Sequence, residues 1–432
     1  MGVIGIRRED KSEYERRAPL TPRQVGRAIE RFGISVQVER APHRVFSEEE
    51  YAAEGAVIVD ELAQCDLVLG VKEVPKEKLR GNQAYLFFSH TIKAQAYNMP
   101  MLKTMVEKGC TLMDYERITD EAGRRLVFFG YHAGLAGMID SLWMAGRRLE
   151  QRGVANPFSR MRMSFEYRDL AEAVADVELA GREISRSGFP PEVSPFVVGV
   201  TGYGNVARGA HFVLKHLPLR EVAPCDLADL RGGEASRNVV HVASFSEEHL
   251  VQRVDEEAFD LSDYLARPSG YRSIFGTYLP YIHLLINGIY WEPKYPRLVT
   301  RELLGVLSAQ GRLPLIGIGD ISCDVEGSIE ITSRTTTQWA PLVSYDPVSG
   351  EEDSRGEGPG VAVLAIDNLP AELPRDATEH FGNALFGFLH HLASLPLDKA
   401  FDVADYPGEL RRATILWRGE LTPGFEYLRE YI

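Results

Sequence analysis

The chain has 432 residues, 44% hydrophobic and 25% charged, enough for two or three ordinary globular cores. Its formal net charge of −14 argues against non-specific binding to nucleic acid or to an anionic membrane surface. Four scattered cysteines without CxxC spacing, and histidines without an HExxH pattern, argue against disulfides and a metal site. No apolar run reaches the length of a bilayer span, and Met1 leads straight into Val3-Ile4-Gly5-Ile6 without a signal segment, so a cytoplasmic protein is expected.

Short apolar strands alternate with helical stretches from the start, as α/β folding requires. Thr21-Pro22 is a helix-start signal, and the helix is expected to run to Arg31. Residues 33–38, 57–59, 67–71 and 84–88 read as strands, and residues 101–108 as a helix closed by Gly109. Residues 134–152 form one helix rich in small residues, suited to close packing against another backbone. A second helix covers 170–187 and is broken by Pro190-Pro191. The next strand leads into Gly202-Tyr203-Gly204-Asn205-Val206-Ala207, followed by a helix. Residues 221–226 read as the following strand, with Asp226 at its end. Further strands fall at 284–287 and 315–318, a polar loop at 345–360 and a closing helix at 377–393.

The pattern Gly202-x-Gly204-x-x-Ala207 between a strand and a helix is a dinucleotide-binding turn. Gly202 permits the tight turn and Gly204 lets the backbone approach a pyrophosphate. Ala207 keeps helix and strand close, and Asn205 and Val206 open the helix whose N–H groups attract the anion. Asp226 lies 24 residues beyond Gly202, near the spacing of a ribose-binding acid. Arg231 follows and suits a 2′-phosphate instead, so NAD and NADP both stay open.

Two strands upstream end in titratable groups: Lys72 after Leu67–Val71, and His90 after Ala84–Ser89. Strand ends of one sheet face one crevice, where partial burial brings a lysine toward useful acid–base range. A surface lysine before a turn is the equal alternative from position alone. Glu73 adjoins Lys72, Arg16-Arg17 precedes the first helix, and Glu116 follows another strand end. These suit charge balance and carboxylate binding, or a solvated surface.

The blocks Arg17-Ala18-Pro19-Leu20-Thr21-Pro22, Gly70-Val71-Lys72-Glu73-Val74-Pro75 and Phe88-Ser89-His90-Thr91, with the glycine turn, resemble the alanine dehydrogenase, transhydrogenase and lysine-forming saccharopine dehydrogenase superfamily. Residues 87–95, 285–292, 323–330 and 366–374 are more similar to its lysine–ketoglutarate reductase branch. The resemblance implies an α/β protein of two Rossmann-like domains with an interdomain cleft. A discontinuous N-terminal domain (1–135 plus 376–432) would take substrate. The inserted domain (136–375) would bind NAD or NADP. It also implies that Lys72 and His90 form the acid–base pair, that Arg17 holds a substrate carboxylate, that Glu73 and Glu116 tune the pair, and that Lys11 lies in the site.

The implied reaction joins lysine to 2-oxoglutarate through an imine that is reduced to saccharopine. The expected partners are therefore small molecules, with neither nucleic acid nor membrane, and a homo-oligomer stays open. Larger relatives carry a second dehydrogenase module, so that activity is expected to need another protein. The alternatives are a related dehydrogenase for alanine or another amine and 2-oxo acid pair, or a non-catalytic NAD(P)-binding domain.

Overall fold

In the computed structural model, which describes residues 2–232 and 235–432, the chain forms two units. One comprises Met1–Phe129 with Pro374–Ile432, the other Gly130–Leu373. Each is built on an eight-stranded, mainly parallel sheet, the α/β class expected from the sequence. Among the described residues, no helix is long and apolar enough to cross a membrane.

The first unit contains β1 (Val3–Ile6), β2 (Ser35–Glu39), β3 (Val57–Val59), β4 (Leu67–Leu69), β5 (Ala84–Phe87) and β6 (Thr111–Asp114). They pair in parallel in the order β3-β2-β1-β4-β5-β6, and Thr414–Trp417 and Glu420–Leu421 extend the sheet antiparallel. β4 and β5 are buried along their whole length, as parallel strands covered on both faces must be. Helix α1 (Pro22–Phe32) starts where the sequence signals it. Thr21 accepts from the Gln24 N–H at 3.2 Å, and the Gln24 side chain accepts from the Thr21 N–H at 2.8 Å. Gly33, at φ 63°, closes it. Helices α2 (Glu48–Ala53) and α3 (Met99–Glu107) follow. The strand order reverses at β1, so the crevice beyond the C-terminal ends of β1 and β4 is the switch point where such sheets bind ligands. The closing helix expected over 377–393 is two pieces, Pro374–Phe386 and Leu389–Leu392, separated at Gly387.

The second unit begins with helix α4 (Gly130–Gln151), continues through α5 (Leu170–Ser187), and reaches β7 (Val197–Thr201) and α6 (Asn205–Leu214). The glycines of α4 have a packing reason. A Cβ on Gly134 would lie 1.9 Å from the Val206 carbonyl oxygen, and one on Gly209 of α6 would lie 2.2 Å from that of Tyr131. The two helices therefore meet backbone to backbone. β8 (Leu219–Glu221), β9 (Val240–Phe245), β12 (Leu284–Asn287), β13 (Gly317–Asp320) and β16 (Val361–Leu364) give the parallel order β8-β9-β7-β12-β13-β16; β14 (Leu342–Tyr345) and β15 (Glu352–Asp353) complete the sheet antiparallel. A separate hairpin pairs β10 (Val251–Arg253) with β11 (Tyr271–Ser273).

The strand expected over 221–226 is not there. β8 stops at Glu221, and Asp226 sits in a 3-10 stretch, Pro224–Gly232. Pro224 lacks the N–H that a continued ladder needs. In the same unit α4 buries Asp140, whose carboxylate accepts from the Ser164 N–H at 2.7 Å, and Glu372 is buried against it. Burial pushes Asp140 up to about 6. Burial, and then the charge of Asp140, push Glu372 far above the carboxylate range.

Candidate active site

In the first unit, β4 and β5 run in parallel with Leu69 opposite Leu86, so the segments that follow leave at the same edge. Lys72 and Glu73 extend from β4, and His90 from β5. His90 Nδ1 lies 2.7 Å from Glu73 Oε1, and Lys11 Nζ lies 3.0 Å from both Glu73 oxygens. Asn98 Nδ2 donates to the Ser89 carbonyl at 2.8 Å and to Glu73 Oε1 at 3.3 Å. Burial works to raise the Glu73 carboxyl, but the hydrogen bonds from His90 and Lys11 outweigh it and hold Glu73 well below the usual carboxylate range. It is an anion fixed between the Lys11 ammonium and the His90 ring.

Lys72 is half-buried, and its amine is pushed down, first by burial and then by the Arg17 charge, against the opposing pull of Glu15 and Glu73. A lysine in that condition releases a proton nearer neutrality than a surface lysine does. His90 holds the left-handed backbone at φ 49°, a region that few non-glycine residues occupy and that recurs at functional sites. Ser89 anchors it, because its N–H donates to Asp114 Oδ2 at 2.9 Å. Asp114 is wholly buried and pushed up to about 6 by that burial.

The structure thus brings Lys11, Glu73 and His90 into one hydrogen-bonded cluster, with Lys72 in electrostatic contact with it. Arg17 is buried at the same edge, but Glu15 grips its fork, with Nε at 2.7 Å and Nη2 at 2.6 Å from the two oxygens. The guanidinium also lies 4.2 Å over the Phe129 ring. Any carboxylate that Arg17 binds must share it with Glu15. Glu116 stands apart: among the described residues, its ion pair is with Arg125 at 3.6 Å. Glu15 and Asn98 were not singled out in the sequence. Glu15 carried a signal, an acid two residues before a candidate carboxylate-binding arginine. Asn98 carried none.

In the second unit, the turn after β7 has the shape a diphosphate needs. Gly202 sits at φ 88°, and a Cβ there would lie 3.1 Å from the Gly288 carbonyl oxygen. A Cβ on Gly204 would meet nothing within 4 Å, and no side chain caps the first turn of α6. The N–H groups at Asn205 and Val206 therefore open onto free space at the positive end of a ten-residue helix. Asn205 accepts from Arg208, and Ala207 is buried against the sheet. Beneath the turn, Thr201 Oγ1 lies 2.9 Å from Asn287 Oδ1. Asn287 Nδ2 donates to Asp320 Oδ1 at 2.8 Å, and Thr332 donates to Asp320 Oδ2 at 2.6 Å. This network ties together the ends of β7, β12 and β13.

The strand beside β7 is β9, and β8 lies outside it. Asp226 therefore follows an edge strand that does not touch β7. The acid beyond the neighbouring strand is Glu247, in the short helix α7 (Glu247–Leu250), and its Oε1 lies 3.4 Å from the Tyr203 hydroxyl within the glycine turn. Spacing along the chain does not point to Glu247, because residues 222–239 intervene before the strand adjacent to β7.

Residues 5–136 match the family described as alanine dehydrogenase/PNT, N-terminal domain. Over 99% of its length the chain is 38% identical to an alpha-aminoadipic semialdehyde synthase of Arabidopsis thaliana, of which it spans 41%. It spans less than half of the mouse protein of that name as well. It is 27% identical to a saccharopine dehydrogenase (NAD(+), L-lysine-forming) of Neurospora crassa, and the match covers 89% of each chain. Among solved structures, an L-alanine dehydrogenase superposes over all of both chains with a TM-score of 0.63 at 19% identity, a likeness of fold.

Proposed function

We propose that this chain, which belongs to the alanine dehydrogenase/PNT superfamily, interconverts L-lysine plus 2-oxoglutarate with saccharopine at the expense of a nicotinamide dinucleotide. The observation that carries the reading is the strand-edge cluster of Lys72, Glu73, His90 and Lys11. Forming and reducing an imine moves protons at several steps, so it needs an amine whose hold on its proton burial has weakened, beside a polar group that can relay protons.

In the forward direction, Lys72 takes a proton from the substrate ε-ammonium. The freed amine adds to the keto carbon, and His90 protonates the departing hydroxyl, so that water leaves and the imine forms. Glu73 stays anionic and orients the His90 ring through Nδ1. Arg17, shared with Glu15, and Lys11 attract the substrate carboxylates. The turn residues Gly202, Gly204, Asn205, Val206 and Ala207 hold the dinucleotide diphosphate, and the bound nicotinamide supplies or accepts the hydride.

Glu247 favours NAD over NADP, because a carboxylate beyond the strand next to β7 accepts from ribose hydroxyls and repels a 2′-phosphate. The test is oxidation of NADH and of NADPH by the purified chain with lysine and 2-oxoglutarate, with mass spectrometry of the product. Saccharopine supports the reading. Bound dinucleotide without turnover of this pair refutes it.

A further inference from the structure

Glu9 belongs to none of the roles above, yet it sits at the switch point of the first sheet. Its side chain is 2% exposed. Oε1 accepts from the Val71 N–H at 2.7 Å, and Oε2 from the Lys72 N–H at 2.9 Å. Arg7, itself buried, supplies the counter-charge at 3.2 Å and is anchored by its own N–H to the Leu69 carbonyl at 3.0 Å. Gly70 leaves the room for this: a Cβ there would lie 2.8 Å from Arg7 Cδ and 3.5 Å from Glu9 Oε1. The Val71 carbonyl in turn accepts from the Phe88 N–H at 3.1 Å, two residues before His90.

We propose that Glu9 is the positioning residue of the site: its bidentate grip on consecutive main-chain N–H groups sets the direction in which the Lys72 amine leaves the sheet edge, and through Val71 and Phe88 fixes that direction relative to His90. β4 ends at Leu69, so the N–H groups of Val71 and Lys72 lie beyond the strand, and Glu9 is the partner each of them has instead. Only a carboxylate offers two acceptors at this spacing. A glutamine would turn a donor toward one N–H, and an aspartate is one methylene too short to reach both. Burying a carboxylate is costly, and packing alone would not call for one here.

The inference rests on the proposed role of Lys72, and two measurements on the whole 432-residue chain separate them. In steady-state kinetics with NADH, Glu9→Gln is expected to lower kcat roughly 30-fold, with KM for lysine and 2-oxoglutarate within about threefold, as misplacement of a reacting group does. In the Lys72→Met background the same substitution is expected to add no further loss, because its effect passes through that amine. Equal losses in both backgrounds overturn the proposal, as does an unchanged kcat.

The second measurement needs no turnover. The Lys72 amine is acetylated with acetic anhydride across a pH series and read by peptide mass spectrometry. In the native chain Lys72 is expected to react at lower pH than the exposed lysines. In Glu9→Gln its midpoint should move back toward theirs. An unmoved midpoint in a variant with native circular dichroism overturns the proposal. Should Glu9→Gln not fold, Glu9→Asp carries both comparisons. A native chain inactive with lysine and 2-oxoglutarate refutes the functional reading, and the acetylation series alone then decides for or against Glu9.

Discussion

The edge of the first unit's sheet gathers ionisable side chains: Lys11, Arg17, Lys72, Glu73 and His90, with Glu15 gripping Arg17. At the equivalent edge of the second unit's sheet, side chains have been cleared away at Gly202 and Gly204, the network of Thr201, Asn287 and Asp320 is buried under the turn, and the exposed polar side chains pair with one another, Asn205 with Arg208 and Tyr203 with Glu247. Both edges are switch points of parallel sheets, so topology alone does not separate them. On the proposed function, the contrast follows from what each edge would touch. Moving protons requires side chains held in place by one another. Cradling a diphosphate requires main-chain N–H groups that no side chain obstructs.

The sharpest way to break this contrast is at Lys72. Lys72→Met should lower turnover by about 10²–10⁴-fold while dinucleotide affinity, read by fluorescence titration, stays within about twofold. A comparable loss of dinucleotide binding would show that the two edges are not functionally distinct. Gly204→Val tests the other edge. Because a Cβ there meets no protein atom, the melting temperature should hold, whereas dinucleotide affinity should fall by roughly 100-fold or more, as a side chain fills the approach to the diphosphate. Affinity unchanged in a folded variant would remove the turn from cofactor binding. Glu247→Arg should move the ratio of kcat/KM with NADH to that with NADPH toward NADPH by roughly 10–100-fold, and a ratio that stays put would return the choice to residues such as Asp226 or Arg231.

The smallest effect concerns stability. The unfolded chain ionises Asp140 near its ordinary pKa, whereas the folded chain holds that proton up to about 6. The folded state therefore binds more protons across that window, and stability falls as the pH rises through it. Asp140→Asn keeps an acceptor for the Ser164 N–H and removes the cost of ionising a buried carboxyl. It should stabilise the chain by about 1–2 kcal/mol at pH 8 in urea denaturation, and the gain should vanish as the pH falls from about 6 toward 4. A gain that is constant with pH would assign it to packing.

Much of the first edge can be read from local sequence. The apolar runs ending at Lys72 and His90 mark buried strands, and neighbouring parallel strands end together. The cap at Thr21 and the glycine turn are equally local. What escapes is the pairing of groups across strands. Glu9 meets the N–H groups of Val71 and Lys72 across 62 and 63 residues, and nothing near either segment announces it. Glu15 occupies a fork that the arginine's position offered to substrate. The strand expected to end at Asp226 is absent, and its spacing from Gly202 is no guide to distance in space, because the next strand along the chain is the outer one and not the neighbour of β7. Glu116, at a strand end like the others, turns to Arg125 because a strand end specifies an edge and not a direction.

The glycine contact between α4 and α6 has a consequence for inheritance. Val206 belongs to the glycine turn, and its carbonyl abuts Gly134 with no space for a methyl group. The shape of that turn is therefore written partly in a codon some seventy positions upstream, in a helix whose small residues signal packing and not a ligand. A random-mutagenesis screen for variants that lose their dinucleotide would return position 134 beside position 204. A breeder of altered cofactor preference who varies only the turn would be working with half of the alphabet.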